Sequence, residues 1–207
     1  MPWPNTDDTT MGGYPVSIDV KYPAGIYSYF APAWMKTGDL LDTLMLGGGG
    51  GGEGDRWDTT DPAGGLAPTW TTTTLTFGTD FDHSTRFDIV VGAGGKGGPF
   101  DKVGADGTAT TVTWQTPTGA SRTLTSAGGL GGNITAGHAA ATKRMWGQSP
   151  GNKTLSARQY VGGLAVQPAV FQSPGNAPGG GGPAGGFLQA GGRGADGGAW
   201  FNPRQHS

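Results

Sequence analysis

Glycine in this chain is gathered into runs rather than scattered. The runs are Gly47–Gly54, Gly92–Gly98, Gly128–Gly132, Gly179–Gly186 and Gly191–Gly198. A run without side chains offers no apolar face to bury and loses more backbone entropy on ordering than any other sequence. It folds only where its own N–H and C=O groups find partners. Within the runs the spacing is three. Gly92, Gly95, Gly98, Gly104 and Gly107 share one phase, interrupted at Asp101. Gly179, Gly182, Gly185, Gly191, Gly194 and Gly197 share another, interrupted at Leu188. An extended helix of the polyproline II type has three residues per turn. A face made only of glycine lets such helices pack backbone to backbone. Collagen is disfavoured, because the triplets are few and Pro is only 15 in 207. The spacing predicts a bundle of polyglycine/PPII-type three-fold helices, with Gly92, Gly95, Gly98, Gly182, Gly185, Gly191, Gly194 and Gly197 as packing positions.

With 43 Gly and 15 Pro the chain leans towards low complexity. Two counts argue against disorder: charged residues are only 14%, and there are 7 Trp, 8 Phe and 5 Tyr. There is no Cys, so no disulfide or thiolate metal site. A net charge of −2 without a Lys/Arg cluster argues against nucleic-acid binding. No apolar stretch reaches the ~18 residues of a membrane span. Met1 to Asp8 lacks the basic and apolar regions of a secretory signal. Synthesis in a cytoplasm without export by the secretion route is expected.

Between the glycine runs the composition is that of strands. Val16, Ile18 and Val20 alternate with polar residues, Pro23-Ala-Gly25 signals a turn, and Ile26–Phe30 is expected to pair back on the first strand. Leu40–Leu46 reads as a third strand, with a short helix over Met35–Leu46 as the alternative. Thr69–Phe77 is β-branched and aromatic, Phe87–Val91 reads as a short buried strand, and Thr108–Trp114 is followed by a partner at Ser121–Thr125. The only other helix candidate is Ala136–Met145. The fold class is therefore mostly β, with glycine-rich three-fold helices, long loops and little α-helix.

Chemical motifs are sparse. Gly92-Ala-Gly94-Gly-Lys-Gly97 follows a strand as a dinucleotide fingerprint does, but Gly98-Pro99 comes next, where that motif needs a helix to hold the pyrophosphate. Asp80, Asp82 and His83 are metal-ligand types, to which Asp55, Asp58 and Asp61 could add oxygens. The plainer reading of Asp80–His83 is a solvated turn. Glu53 reads as a residue at a loop tip. No nucleophile or acid pair stands in a recognisable context, so no enzyme activity and no cofactor are expected. The aromatics Trp146, Tyr160, Phe171, Phe187, Trp200 and Phe201 punctuate the C-terminal half. Most are expected to be buried wedges, each contributing ~2–3 kcal/mol. Trp146, Tyr160 and Trp200 are the candidates for stacking on a receptor.

Several junctions resemble those of glycine-rich minor tail proteins of actinobacteriophages. These are Leu44-Met-Leu46 into Gly47–Gly52, Phe87-Asp-Ile-Val-Val-Gly-Ala-Gly-Gly-Lys-Gly-Gly98, Gly104-Ala-Asp-Gly-Thr-Ala-Thr110, Thr125-Ser-Ala-Gly-Gly-Leu-Gly-Gly132 and Gly191-Gly-Arg-Gly-Ala-Asp-Gly-Gly-Ala-Trp-Phe201. The resemblance covers roughly residues 26–204. It implies a virion component near the tail tip, often trimeric, sometimes with a receptor-binding role.

The combined reading places an N-terminal β-strand attachment segment at 1–46 and a glycine-rich tip domain at 47–207. A homotrimer is expected, since glycine faces and apolar edges need partners. The expected partners are other phage tail proteins, through the N-terminal segment, and a cell-envelope glycan or surface receptor at the tip. Neither nucleic acid nor membrane insertion is expected. Two functions follow: host recognition, which predicts exposed aromatics at loop tips, or purely structural capping of the tail tip, which predicts aromatics buried in subunit interfaces.

Overall fold

The computed structural model describes residues 9–11, 14–16, 18–57, 61–137, 144–168 and 172–206. Twelve strands are formed among them: β1 (Thr9–Met11), β2 (Tyr14–Val16), β3 (Asp19–Lys21), β4 (Gly25–Phe30), β5 (Leu40–Leu46), β6 (Thr71–Thr76), β7 (Arg86–Val91), β8 (Thr110–Gln115), β9 (Ser121–Ser126), β10 (Lys153–Leu155), β11 (Arg158–Tyr160) and β12 (Gly198–Arg204). No α-helix occurs among the described residues. Met35–Leu46 thus holds a strand rather than the helical alternative, while most of the Ala136–Met145 candidate lies outside the described residues.

Two antiparallel four-stranded sheets, in the orders β3-β12-β5-β6 and β4-β7-β8-β9, face one another. Their inward side chains form one apolar core, including Tyr29, Leu41, Met45, Phe81, Phe87, Ile89, Val112 and Phe201. β7 alternates strictly, with Phe87, Ile89 and Val91 buried and Arg86, Asp88 and Val90 exposed, so it is buried on one face and not throughout. The expected N-terminal hairpin is not formed. The first strand is split into β2 and β3; β3 pairs with β12, and β4 pairs with β7. The reason lies in the C-terminal Gly-Ala-Trp-Phe-Asn-Pro-Arg. It pairs along its full length with β5, Gly198 opposite Leu46 and Arg204 opposite Leu40, and so occupies the position beside β3. Strands before Gly47 are thereby paired with strands after it.

Each central strand runs on into a glycine-rich extended segment. Residues 47–55 continue β5 and lie at the centre of a bundle. The direction of their hydrogen bonds repeats every three residues. Gly48, Gly51 and Gly54 donate to Thr108, Ala105 and Lys102 carbonyls; Gly49, Gly52 and Asp55 to Ala195, Gly192 and Gln189; Gly50 and Glu53 to Leu66 and Ala63, all at 2.8–2.9 Å. The central carbonyls accept in the same rotation. Gly95 and Gly98 donate to Gly49 and Gly52, Gly129 and Gly132 to Gly48 and Gly51, and Gly182 and Gly185 to Gly50 and Glu53. Six segments therefore surround one. The three that donate inwards run parallel to it and the three that accept from it run antiparallel, in alternation. The ring closes on itself through Ala105 to Lys96, Gly104 to Gly132, Leu66 to Leu130, Gly65 to Gly182, Gly192 to Pro183 and Gly191 to Gly98. At about 3.1 Å per residue the nine central residues span about 28 Å.

This packing explains the glycine spacing. A Cβ on Gly50 would overlap the Leu130 carbonyl, one on Gly51 that of Lys96, and one on Gly52 that of Pro183. The central segment meets a neighbour on all three faces, and six successive glycines mark it. A ring segment has an outer face that accepts side chains, and there Ala93, Lys96 and Pro99 recur every third residue. Gly191 and Gly194 point at Gly52 and Gly49, and Gly95 and Gly182 point at ring neighbours. The glycine faces thus find their partners within a single chain. Asp101 and Leu188, which interrupt the two phases, have φ of 58° and 54° and sit in the turns that reverse the chain between adjacent segments.

Candidate functional site at the turn end of the bundle

The sandwich closes one end of the bundle. The other end is made, among the described residues, of the chain reversals at 55–57, 99–103, 133–137 and 186–189. Glu53, the only Glu in the chain, lies just beneath them. It occupies the phase of Gly47 and Gly50, which faces segment 128–132. That segment ends at Gly132, leaving room for a side chain. Glu53 is 1% exposed and does not tip a loop. Its Oε2 accepts the Ala63 amide at 2.9 Å and the Ile134 amide at 3.1 Å, and its Oε1 pairs with Arg56 at 2.9 Å. One buried carboxylate thus holds the starts of two departing loops. This is the use to which a charge can be put where backbone partners run out.

Above it the surface is apolar and aromatic. Trp57 is 77% exposed, Phe187 87% and Leu188 52%. The Trp57 indole meets the Phe100 ring edge-on, with centroids 4.8 Å apart and planes at 89°. Phe187 and Leu188 form the tip of a tight turn closed by the Gln189 amide on the Gly186 carbonyl at 2.9 Å. The Leu188 amide donates to Asp55 Oδ2 at 2.6 Å, which fixes this turn to the end of the central segment. A cleft of about 420 Å³ lies between Trp57 and Phe187, with Asp55, Arg56, Asp61 and Met145 among its walls.

The residues singled out from the sequence lie elsewhere. Tyr160 is 3% exposed; its ring meets Trp200 with centroids 6.5 Å apart, and Trp200 in turn packs on Trp70 at 5.1 Å. Burial pushes the Tyr160 hydroxyl up to about 12, with the Asp42 charge adding to the effect. These rings wedge between the sandwich and its surroundings. Trp146 is half-buried and has a partner of its own. Phe171 and Asp58 lie outside the described residues. Asp80, Asp82 and His83 form the turn between β6 and β7. Asp80 Oδ2 accepts the Thr76 amide at 2.8 Å, and His83 packs on Phe77. Asp82 Oδ1 accepts from the Ser84 hydroxyl at 2.7 Å and from the Ser84 and Thr85 amides, and these bonds hold its carboxyl below the ordinary value. Among the described residues no three metal-ligating side chains converge. Trp57 lies outside the set of aromatics that punctuate the C-terminal half and is not among the sequence candidates. Its place directly after a glycine run, where a bundle must turn, was the signal that could have found it.

A single-chain bundle of glycine-rich three-fold segments on a β-sandwich defines the class of this protein as a glycine-rich domain. The chain belongs to the glycine-rich domain family, whose sequence profile matches residues 22–204. It is 36% identical over 191 residues to the Gene 32 protein of Mycobacterium phage D29, covering 86% of this chain and 78% of that one. To the Gene 32 protein of Mycobacterium phage L5 it is 38% identical over 197 residues, covering 86% and 77%. It is thus a phage-encoded protein. Among the described residues no helix is long and apolar enough to cross a membrane.

Proposed function

We propose that this protein is a component of the phage tail tip that contacts the bacterial cell envelope through the turn end of its bundle. The observation that carries this reading is the placement of the exposed aromatics. Large apolar side chains in water are tolerated singly, but a cluster marks an interaction surface. Trp57, Phe187 and Leu188 cluster at one end of a rigid backbone frame, about 28 Å from the sandwich by the rise of the central segment. The sandwich end carries its own exposed apolar set, Ile26, Phe30 and Val90, on the edge strand β4 and its neighbour β7. Edge strands of this kind take up further chains. In this reading they hold other tail proteins or two further copies of the protein, in a homotrimer.

The test is binding of the fluorescently labelled protein to intact mycobacteria, with the mass of the particle measured by light scattering in the same preparation. Saturable binding that blocks phage adsorption supports recognition. A stable particle that binds no susceptible cell leaves a subunit that caps the tail without touching the host.

A further inference from the structure

The cleft between Trp57 and Phe187 combines two chemistries that seldom serve one ligand. Its rims are ring faces and its walls carry ions. The Trp57 indole rests edge-on against Phe100 and leaves most of its surface open to a ligand. Phe187 projects from a turn whose next residue, Leu188, has a φ of 54°. A branched side chain is disfavoured in that region, and glycine or asparagine would close the same turn at lower cost. The turn therefore retains a large apolar pair at the expense of backbone comfort, and strain of this kind collects at functional positions. Beneath the rims lie the Asp55 carboxylate, fixed by the Leu188 amide, the exposed Asp61 carboxylate and the Arg56 guanidinium.

A purely apolar partner, such as a lipid chain or an amphipathic helix, would strand these charges away from water. An anionic group entering the cleft would meet two carboxylates in its walls. A pyranose or furanose ring fits both sets: its C–H face packs on an aromatic ring, and its hydroxyl groups donate to carboxylates and accept from guanidinium. We propose that this cleft binds a neutral saccharide of the cell-wall polysaccharide, stacked on Trp57 and flanked by Phe187. The proposal rests on the envelope-contact reading above and names its ligand class and position.

The experiment uses the full chain and delipidated, protease-treated cell-wall polysaccharide from a mycobacterium, followed by quenching of tryptophan fluorescence and by retention on the immobilised polysaccharide. Wild type, Trp57→Ala and Phe187→Ser are compared, with Asp55→Asn as a third variant; Trp57 and Phe187 are exposed, and unchanged melting temperatures confirm that the first two fold. Saturable binding, weakened at least tenfold by Trp57→Ala and by Phe187→Ser, is the expected result. Binding that both variants retain overturns the assignment of the cleft. Binding to intact cells that protease treatment of the cells abolishes, with none to the polysaccharide, overturns the saccharide and leaves envelope contact standing. No binding to cells or polysaccharide overturns both.

Discussion

The Asp196 carboxylate accepts the Gly94 amide at 3.0 Å, joining residues 102 apart in the chain. Asp106 does the same for Gly131 at 2.7 Å. Both aspartates occur in the sequence Gly-Ala-Asp-Gly, at 104–107 and 194–197. In both cases the segment that carries the aspartate runs antiparallel to the one it serves. Ring segments that run parallel to the centre donate every third amide inwards, and their outward amides need acceptors from elsewhere. The repeated tetrapeptide supplies one to each of two such segments, while the third donates its Gly181 and Ala184 amides to the Gln148 and Met145 carbonyls.

Asp106→Ala leaves the Gly131 amide without its acceptor. Loss of a hydrogen bond to a charged group costs about 1.5–3 kcal/mol. Asp106→Asn keeps an acceptor oxygen and is expected to cost less than half as much. Chemical denaturation of the two variants beside wild type checks the order. Equal losses would mean that the charge, and not the acceptor, matters at this position.

Gly50→Ala places a methyl group against the Leu130 carbonyl, where only backbone can yield. The expected outcome is loss of the cooperative folded state, or at least about 3 kcal/mol if neighbouring segments shift. Gly186→Ala is the control, because a Cβ there meets only the end of the Gln189 side chain at 3.7 Å. It is expected to change stability by less than about 0.5 kcal/mol. Thermal melts of the two variants separate a packed bundle from a merely flexible glycine-rich chain.

Glu53→Ala removes the acceptor for two buried amides and one partner of Arg56. Each unsatisfied buried amide costs about 1–3 kcal/mol, so a loss of at least about 2 kcal/mol is expected. Glu53→Gln retains acceptance from Ala63 and Ile134 and is expected to lose a smaller share. The loss should fall chiefly on the turn end, so limited proteolysis of Glu53→Ala is expected to cut beside Arg56 or Lys102 before the sandwich is attacked.

Alkaline pH is expected to unfold the protein in a window set by buried tyrosines. Burial raises the Tyr160 hydroxyl to about 12, and raises that of Tyr29 further, from an ordinary value of 10. A group whose folded pKa is raised keeps its proton longer in the folded state than in the unfolded one. Its contribution is intact below pH 10 and is lost as pH climbs through the folded value. Melting temperature should therefore fall between pH 10 and 12, and Tyr160→Phe should flatten that fall. A slope unchanged in Tyr160→Phe would assign the transition to other groups.

Much of this fold is legible in the sequence because it is built from two short periods. Strands β5 to β9 follow from alternation and β-branched residues, and the three-fold segments follow from glycine at every third position. What escapes is adjacency. Nothing local tells Gly48 that its acceptor is Thr108, or that 63–66, with only two glycines, completes the ring. The β12 strand hides behind a glycine run and contains Pro203, which reads as a chain end and not as the strand between β3 and β5. Glu53 hides its role for a related reason. A lone acid in a glycine run looks exposed until the facing segment is seen to stop at Gly132. The aromatic cleft depended on knowing which turns share an end.

The closed ring around residues 47–55 gives the bundle, unlike the apolar sandwich beside it, an interior composed almost wholly of peptide groups. Unfolding of an ordinary domain exposes mainly apolar surface and raises the heat capacity, whereas exposure of polar surface lowers it. Melting this bundle hydrates amides and carbonyls with almost no accompanying hydrocarbon. Its heat-capacity increment per residue should therefore fall below the usual ~12–15 cal/mol/K, and its free energy of folding should vary less steeply with temperature than its size would suggest. Cold, which weakens an oily interior, has little purchase on one held by the backbone itself.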